Sequence, residues 1–111
     1  MVKKYIPKRG DVVWLDFDPT KGHEQKGRRP SIVLSPIEYN KKSELALFCP
    51  ITSVSKKYPF EVKVKEKEMK GIILVDQIKS FDWSKRNVTF ICKVNQETLE
   101  EIIQKVLVLI K

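Results

Sequence analysis

The sequence has few of the residues that hold metals or form disulfides. Its 111 residues include two cysteines, Cys49 and Cys92, and a single histidine, His23. A zinc site needs three or four protein ligands, and these three residues are distant in the chain. Each cysteine lies among apolar, β-prone neighbours, which favours a buried free thiol over a disulfide framework. We therefore expect neither a metal site nor a cofactor.

The sequence also has no long apolar run. No stretch reaches the roughly 18 residues that cross a bilayer, and the basic N-terminus lacks the apolar core of a signal peptide. The apolar fraction of 41 % is typical of a globular chain, and the length predicts one domain over residues 1–111. We expect a cytoplasmic protein without membrane contact.

Acidic residues are too few to balance the basic ones. The chain has 14 Asp and Glu against 22 Lys and Arg, for a formal charge of +8 at pH 7. Residues 96–111 carry two lysines and three glutamates, so the basic excess lies in the preceding part of the chain. This distribution favours an anionic partner, for which nucleic acid and an acidic protein tail are both candidates.

The spacing of apolar residues predicts a mainly β protein with a C-terminal helix. β-Prone runs predict strands at 12–17, 31–35, 45–52, 60–65, 71–75 (continuing through 76–81) and 89–94. Residues 37–44 read as a polar connection with one helical turn, and Pro50 predicts an edge or a bulge near the end of the third strand. We expect a strongly bent sheet or barrel.

The predicted helix follows Asn95, a suitable N-cap. Its apolar residues recur at helical spacing and form one face, composed of Leu99, Ile102, Ile103, Val106, Leu107 and Ile110. We expect this face to pack on the sheet rather than on a partner.

The loop between the first two predicted strands concentrates charge. Residues 18–29 hold Pro19 and two glycines, so they do not suit a regular element. They also carry four cations, Lys21, Lys26, Arg28 and Arg29, with Glu24 among them and Asp18 at the start of the stretch. Such a loop suits a phosphate ligand, although a solvated loop has the same composition.

Four segments together resemble the MazF/PemK family of bacterial toxin endoribonucleases, also called mRNA interferases. They are GDVVWLDFDPTKGHEQKGRRPSIVLSP at 10–36, CPITS at 49–53, YPFEV at 58–62 and VDQIKS at 75–80. The resemblance covers nearly the whole chain. It implies an SH3-like β-barrel of the CcdB/PemK type that works as a homodimer in a type II toxin-antitoxin system.

The resemblance also implies an activity. Family members cleave single-stranded RNA or mRNA at short sequence motifs without a metal, by attack of the 2′-OH, and so inhibit translation and growth. The products carry 2′,3′-cyclic phosphate and 5′-OH ends. A cognate MazE-type antitoxin inhibits the toxin by laying an acidic C-terminal tail across the RNA site.

Particular residues acquire roles through the resemblance. Arg29, which precedes a proline, and Thr52, in a P-x-T pattern, are the implied catalytic pair, with Glu24 as a third catalytic residue. The resemblance implies RNA contact by Asp76, Gln77, Lys79 and Ser80, and we also expect Lys21, His23, Arg28 and Lys56 to bind RNA. Some relatives have histidine at the position of Arg28 and small polar residues at that of His23, so the RNA motif does not transfer.

The residue types suit this chemistry. Cleavage without a metal needs a base, an acid and donors that stabilise the charged transition state. The Arg29 guanidinium binds two phosphate oxygens and stays charged, and Thr52 offers a hydroxyl. Glu24 can act as a base or orient an arginine, and His23 titrates in the useful range or is a bystander.

Two tryptophans could stack on RNA bases. We expect Trp14 in the core because it lies in an apolar run. Trp83 lies beside two cations, and its place at a dimer interface or RNA groove stays open.

Two other functions stay open. One is a protein-binding toxin on the same fold, like the CcdB gyrase poisons, whose C-terminal helix ends in Trp-Gly-Ile. This chain ends in Leu-Val-Leu-Ile-Lys without that tryptophan. The other is a noncatalytic nucleic-acid-binding module, which would leave Thr52 and Glu24 without a role.

Overall fold

The computed structural model describes residues 4–17 and 27–111. The strands are β1 (Asp11–Asp16), β2 (Arg28–Val33), β3 (Leu45–Thr52), β4 (Glu61–Lys65), β5 (Lys70–Leu74), β6 (Lys79–Asp82) and β7 (Thr89–Lys93). The helices are α1 (Ile37–Ser43) and α2 (Gln96–Ile110), and single 3₁₀ turns lie at Val75–Gln77 and Trp83–Lys85. The mainly β prediction with a terminal helix is confirmed.

All strand pairs are antiparallel, and β3 is the strand on which the sheet bends. The strand order is β4-β5-β3-β2-β1-β7, and β6 also pairs with β3. One edge of β3 pairs with β2, whereas the other pairs first with β6 and then, beyond Pro50, with β5. Pro50 therefore lies in a central strand, so the edge prediction is wrong. It falls where that strand changes partner.

The predicted continuous strand from 71 to 81 is also wrong. Between Ile73 and Lys79 the chain advances six positions, whereas β3 advances three between their partners Ile51 and Phe48. The three extra residues cannot stay in the ladder, and they form the 3₁₀ turn Val75–Gln77. The turn separates β5 from β6.

Two apolar clusters pack on opposite faces of the sheet because side chains alternate along each strand. The first core lies under α2 and includes Val12, Ile32, Ile51, Ile73 and Ile102. The second core includes Val13, Leu15, Val33, Phe48 and Trp83. The central strands are thus buried on both sides and read as nearly continuous apolar runs.

Helix α2 begins as the sequence predicts. The Asn95 side chain accepts a hydrogen bond of 2.8 Å from the backbone N–H of Thr98, and Ile102 is fully buried in the first core. The prediction that the whole apolar face packs on the sheet is wrong for its end. Leu107 is 44 % exposed and Ile110 is 74 % exposed, because the last turn extends beyond the elements that cover the helix.

The two tryptophans lie in different environments. Trp14 is 39 % exposed, so the core prediction is wrong. It faces the same side as Val12, and its cross-strand partners are Pro30 and Thr89. Trp83 is buried, and its indole N–H donates a hydrogen bond of 3.0 Å to the Asn40 carbonyl.

Residues 37–44 contain more helix than the single predicted turn, since α1 spans seven residues. Its fully buried Asn40 accepts a hydrogen bond of 2.5 Å from the Ser35 hydroxyl. The Asn40 amide donates to the carbonyls of Pro7, at 2.8 Å, and Ser35, at 3.0 Å. These bonds join the N-terminal segment to α1.

Both cysteines are buried and free, as expected. Burial raises the pKa of Cys49 to about 12, so its thiol stays protonated at neutral pH. Among the residues that the structure describes, no helix has the length and apolar character to cross a membrane.

Ile102→Ala is expected to destabilise the fold by about 2–5 kcal/mol, because it leaves a cavity where α2 meets the first core. Urea unfolding at fixed protein concentration measures the change. Gln104→Ala, at an exposed position of α2, is the control and is expected to shift stability by less than about 0.5 kcal/mol. Equal effects of the two substitutions would contradict the packing described for this helix.

Candidate functional site

A cleft of about 470 Å³ opens on the sheet. Alternation along the strands places its β-strand residues on the face opposite the first core. Strands β2, β3 and β5, the 3₁₀ turn Val75–Gln77 and the loop 53–60 with the first residue of β4 supply its walls. The lining residues are Arg29, Thr52, Val54, Lys56, Tyr58, Glu61, Leu74, Asp76 and Gln77.

Strands β2 and β3 bring the predicted catalytic pair together. Their last aligned pair at this end is Ser31 opposite Pro50. The same register, extended by two residues, places Arg29 opposite Thr52. Both residues line the cleft, Arg29 exposed and Thr52 half-buried. Two residues 23 positions apart in sequence therefore line the same cleft.

The Thr52 backbone is closely packed against β5. A Cβ atom at Gly71 would lie 2.9 Å from the Thr52 carbonyl oxygen and 2.8 Å from Ile51 Cγ2. These distances leave no room for a side chain, so glycine permits this approach of the two strands. The Thr52 Oγ1 accepts a long hydrogen bond of 3.3 Å from the Val54 N–H.

The irregular pairing beside β3 positions two further residues. Because the 3₁₀ turn Val75–Gln77 leaves the ladder, it directs Asp76 and Gln77 into the cleft, where both are exposed. Val75 is fully buried in the first core and anchors the turn. The turn thus presents a carboxylate and an amide beside the Arg29–Thr52 pair.

The loop 53–60 is held by Glu61. The Ser55 hydroxyl donates to one carboxylate oxygen at 2.7 Å, and the Lys56 backbone N–H donates to the other at 2.9 Å. Both bonds lower the pKa of Glu61 below its ordinary value, and the bond from the Lys56 N–H has the larger effect. Glu61 is therefore a charged acceptor that organises the loop carrying Lys56.

The adjacent arginines have different roles. Arg28 points to the other face of β2, where its guanidinium lies 3.1 Å from the Asp16 carboxylate. It also donates hydrogen bonds of 2.9 Å to the Asn87 carbonyl and the Thr89 hydroxyl. Arg28 joins β1 and β2 to the start of β7 and to the residues just before it, and it does not line the cleft.

The cleft contains Arg29, Thr52, Lys56, Asp76 and Gln77 of the predicted site. Lys79 and Ser80 are exposed on β6 beside it, outside its lining. Lys21, His23 and Glu24 lie outside the described residues, and their roles stay predictions.

Sequence reasoning missed four lining residues: Val54, Tyr58, Glu61 and Leu74. Tyr58 and Glu61 belong to the YPFEV segment, but the resemblance implies no role for either residue. The available signal was an aromatic residue directly after two lysines in a polar loop.

The described cleft combines two cations, the carboxylates of Asp76 and Glu61, and neutral hydrogen-bonding groups. Arg29 and Lys56 supply positive charge, while Thr52, Tyr58 and Gln77 supply neutral polar groups. Within residues 4–17 and 27–111, no group of three or more His, Cys, Asp and Glu residues could hold a metal ion. A phosphate group is the ligand that these cations suit.

Residues 8–110 match the family model described as "PemK-like, MazF-like toxin of type II toxin-antitoxin system". The chain is 49 % identical over 110 residues to the endoribonuclease toxin MazF of Escherichia coli strain K12, with 99 % of each chain covered. It is 36 % identical over 107 residues to the endoribonuclease toxin ChpB of the same strain, with 91 % of each covered.

Solved structures of similar proteins have the same fold. A crystal structure of MazF from Deinococcus radiodurans aligns with a TM-score of 0.86 at 41 % identity, covering 96 % of this chain and 98 % of that one. A MazE–MazF crystal structure from the same organism aligns with a TM-score of 0.85 at 36 % identity, covering 96 % and 97 %.

The Lys56 backbone amide is expected to report the ionisation of Glu61. Because the folded-state pKa of Glu61 is lowered, the loop contact is complete above the ordinary glutamate pKa and is lost as pH falls through the lowered value. NMR pH titration of the Lys56 amide measures the midpoint. Glu61→Gln is expected to remove this titration, and Glu68→Gln, at an exposed glutamate, to preserve it. A titration midpoint at or above the ordinary pKa of glutamate would contradict the hydrogen bond between the Lys56 amide and the Glu61 carboxylate.

Proposed function

The chain belongs to the PemK-like, MazF-like family of toxins of type II toxin-antitoxin systems, and we propose that it is an endoribonuclease that cuts single-stranded RNA. The observation that carries the proposal is the cleft in which Arg29 and Thr52 meet. The charge of +8 supports it, because RNA is a polyanion. The relatives named endoribonuclease in Escherichia coli support the same activity.

The proposed reaction is an internal phosphoryl transfer that needs no external nucleophile. The 2′-oxygen attacks the adjacent phosphorus and loses its proton, while the bond to the 5′-oxygen breaks and that oxygen gains a proton. The products are a 2′,3′-cyclic phosphate and a 5′-hydroxyl. Negative charge collects on the phosphoryl oxygens in the transition state, and positioned donors there lower the barrier.

Arg29 suits the clamp for this charge. Its guanidinium donates two parallel hydrogen bonds to phosphate oxygens and stays protonated throughout. Thr52 lies on the neighbouring strand, where its oxygen accepts from Val54 and its hydroxyl hydrogen is available to a phosphate oxygen. We assign Lys56 to electrostatic attraction of the RNA backbone. Glu24 remains a proposed base or an orienting group for Arg29.

The proposed protein partners have complementary chemistry. An antitoxin with an acidic tail would compete with RNA for the same cations. The MazE–MazF structure from Deinococcus radiodurans supports a partner of the MazE type. We also propose a homodimer that acts in the cytoplasm and cuts at a short sequence motif without a metal. Inhibition of translation and growth would follow from mRNA cleavage.

Arg29→Ala is expected to reduce RNA cleavage by about 10²–10³-fold, because it removes the main charged donor to the transition state. Thr52→Val, which keeps the shape and removes the hydroxyl, is expected to lower the rate while changing KM less. Lys42→Ala removes one positive charge from an exposed position on α1 and is the control for net charge. Initial rates on a fluorogenic single-stranded RNA measure all three variants.

Unfolding curves show whether each variant keeps the fold. An Arg29→Ala protein that is folded and fully active would refute the clamp. Equal losses in Arg29→Ala and Lys42→Ala would mean that overall charge, rather than the cleft, governs cleavage. A folded parent protein that leaves RNA intact would transfer support to a protein-binding toxin or a noncatalytic binding module.

A further inference from the structure

One aromatic residue of the cleft has no part in the chemistry above. Tyr58 lines the wall formed by the loop 53–60, and it is 48 % exposed. The tryptophans that the sequence suggested for base stacking are placed elsewhere. Trp83 is buried, and Trp14 is not among the residues that line the cleft. Of the described lining residues, Tyr58 alone presents an aromatic ring.

The Tyr58 side chain has contacts at both ends. Its ring lies against Phe60, with 6.0 Å between ring centroids and an interplanar angle of 55°. Its hydroxyl interacts with the Asp76 carboxylate, which raises the pKa of the phenol. The hydroxyl therefore stays neutral at physiological pH. A ring held in this way loses little rotamer entropy when a flat ligand covers it.

The backbone around Tyr58 is also held. The Glu61 N–H donates to the Tyr58 carbonyl at 3.1 Å, and the Glu61 carboxylate holds the earlier part of the loop. From α2, the Lys105 ammonium donates to the Pro59 carbonyl at 2.5 Å and to the Glu61 carbonyl at 3.3 Å. The loop is thus anchored to β4 and to the helix.

The cleft combines this ring with the groups that bind a nucleotide. Arg29 and Lys56 offer cations for phosphates, and the Gln77 amide offers both a donor and an acceptor for a base edge. Positive charge that follows the backbone, together with an aromatic platform for bases, is the usual design of single-strand binding sites. A simple anion site would need the cations alone.

We propose that Tyr58 stacks on a nucleobase of the RNA strand whose phosphate Arg29 binds. This inference rests on the proposed function and adds to it a residue that holds the substrate. The stacked base is adjacent to the cut phosphate, so Tyr58 restricts which part of the strand enters the cleft. The proposed role of Tyr58 is to bind the substrate, and no proton transfer is assigned to it.

The test is binding of short, mixed-sequence single-stranded DNA, which lacks the 2′-OH and cannot undergo the proposed cleavage. Fluorescence anisotropy at one low salt concentration gives the affinity. Tyr58→Ala is expected to weaken binding by about 5- to 150-fold, the equivalent of ~1–3 kcal/mol for one stacked base. Tyr58→Phe keeps the ring and is expected to rescue most of that loss. Tyr39→Ala, at a 45 % exposed tyrosine of α1 outside the cleft, is the matched control.

Cleavage kinetics give a second readout. Loss of a stacking contact that is equal in the ground and transition states raises KM more than it lowers kcat, and this is the result expected for Tyr58→Ala. Parental affinity in folded Tyr58→Ala would overturn the proposal. Equal losses in Tyr58→Phe and Tyr58→Ala would also overturn it, because the hydroxyl rather than the ring would then matter.

The two proposals can fail separately. If the parent cleaves RNA and Tyr58→Ala binds DNA normally, stacking is refuted and the nuclease assignment stands. If the parent binds DNA through Tyr58 and leaves RNA intact, stacking is supported and the nuclease assignment is refuted.

Discussion

The site depends on one constraint, which is that β3 serves two partners along the same edge. It pairs with β6 over its first half and with β5 at its end. Three extra residues accumulate between those partners, and they leave the sheet as a turn. This irregularity places Asp76 and Gln77 beside Thr52, while the regular pairing on the other edge supplies Arg29. The cleft therefore forms because β5 and β6 both pair with β3 along the same edge.

Some charged residues of the chain stabilise the fold, whereas others are available to a ligand. Arg28 and Arg29 are adjacent and chemically identical, yet the two-residue period of the strand sends them to opposite faces. Arg28 is occupied by Asp16 and Thr89, whereas Arg29 is exposed in the cleft. Similarly, Glu61 and Lys105 hold a loop rather than a ligand. Net charge alone does not identify the binding surface.

Much of the fold could be predicted from local patterns. Helix α2 and its Asn95 cap follow from helical spacing and local hydrogen bonding, and most strands follow from apolar runs.

The break before β6 could not be predicted, because it depends on register against β3. The exposure of Trp14 could not be predicted, because an apolar run does not show which of its side chains are covered. Glu61 lies in an alternating strand, where a charged residue usually faces solvent. Its role depends on a loop that folds back onto it.

Only the site residues that belong to recognisable sequence motifs could be predicted. Arg29 and Thr52 came from the resemblance, and the register of β2 and β3 explains why residues so distant in sequence act together. Tyr58 had no such motif role, and only the geometry of the loop relates its ring to the cations. The local sequence shows the residue types, whereas the shared cleft arises from pairing between distant strands.

The most direct test of the central claim is to incubate the purified, folded protein with a long single-stranded RNA in EDTA and to map the fragment ends. The account predicts cuts at one recurring short motif, with 5′-hydroxyl and 2′,3′-cyclic phosphate ends. Intact RNA, or fragments with 5′-phosphate ends, would contradict it.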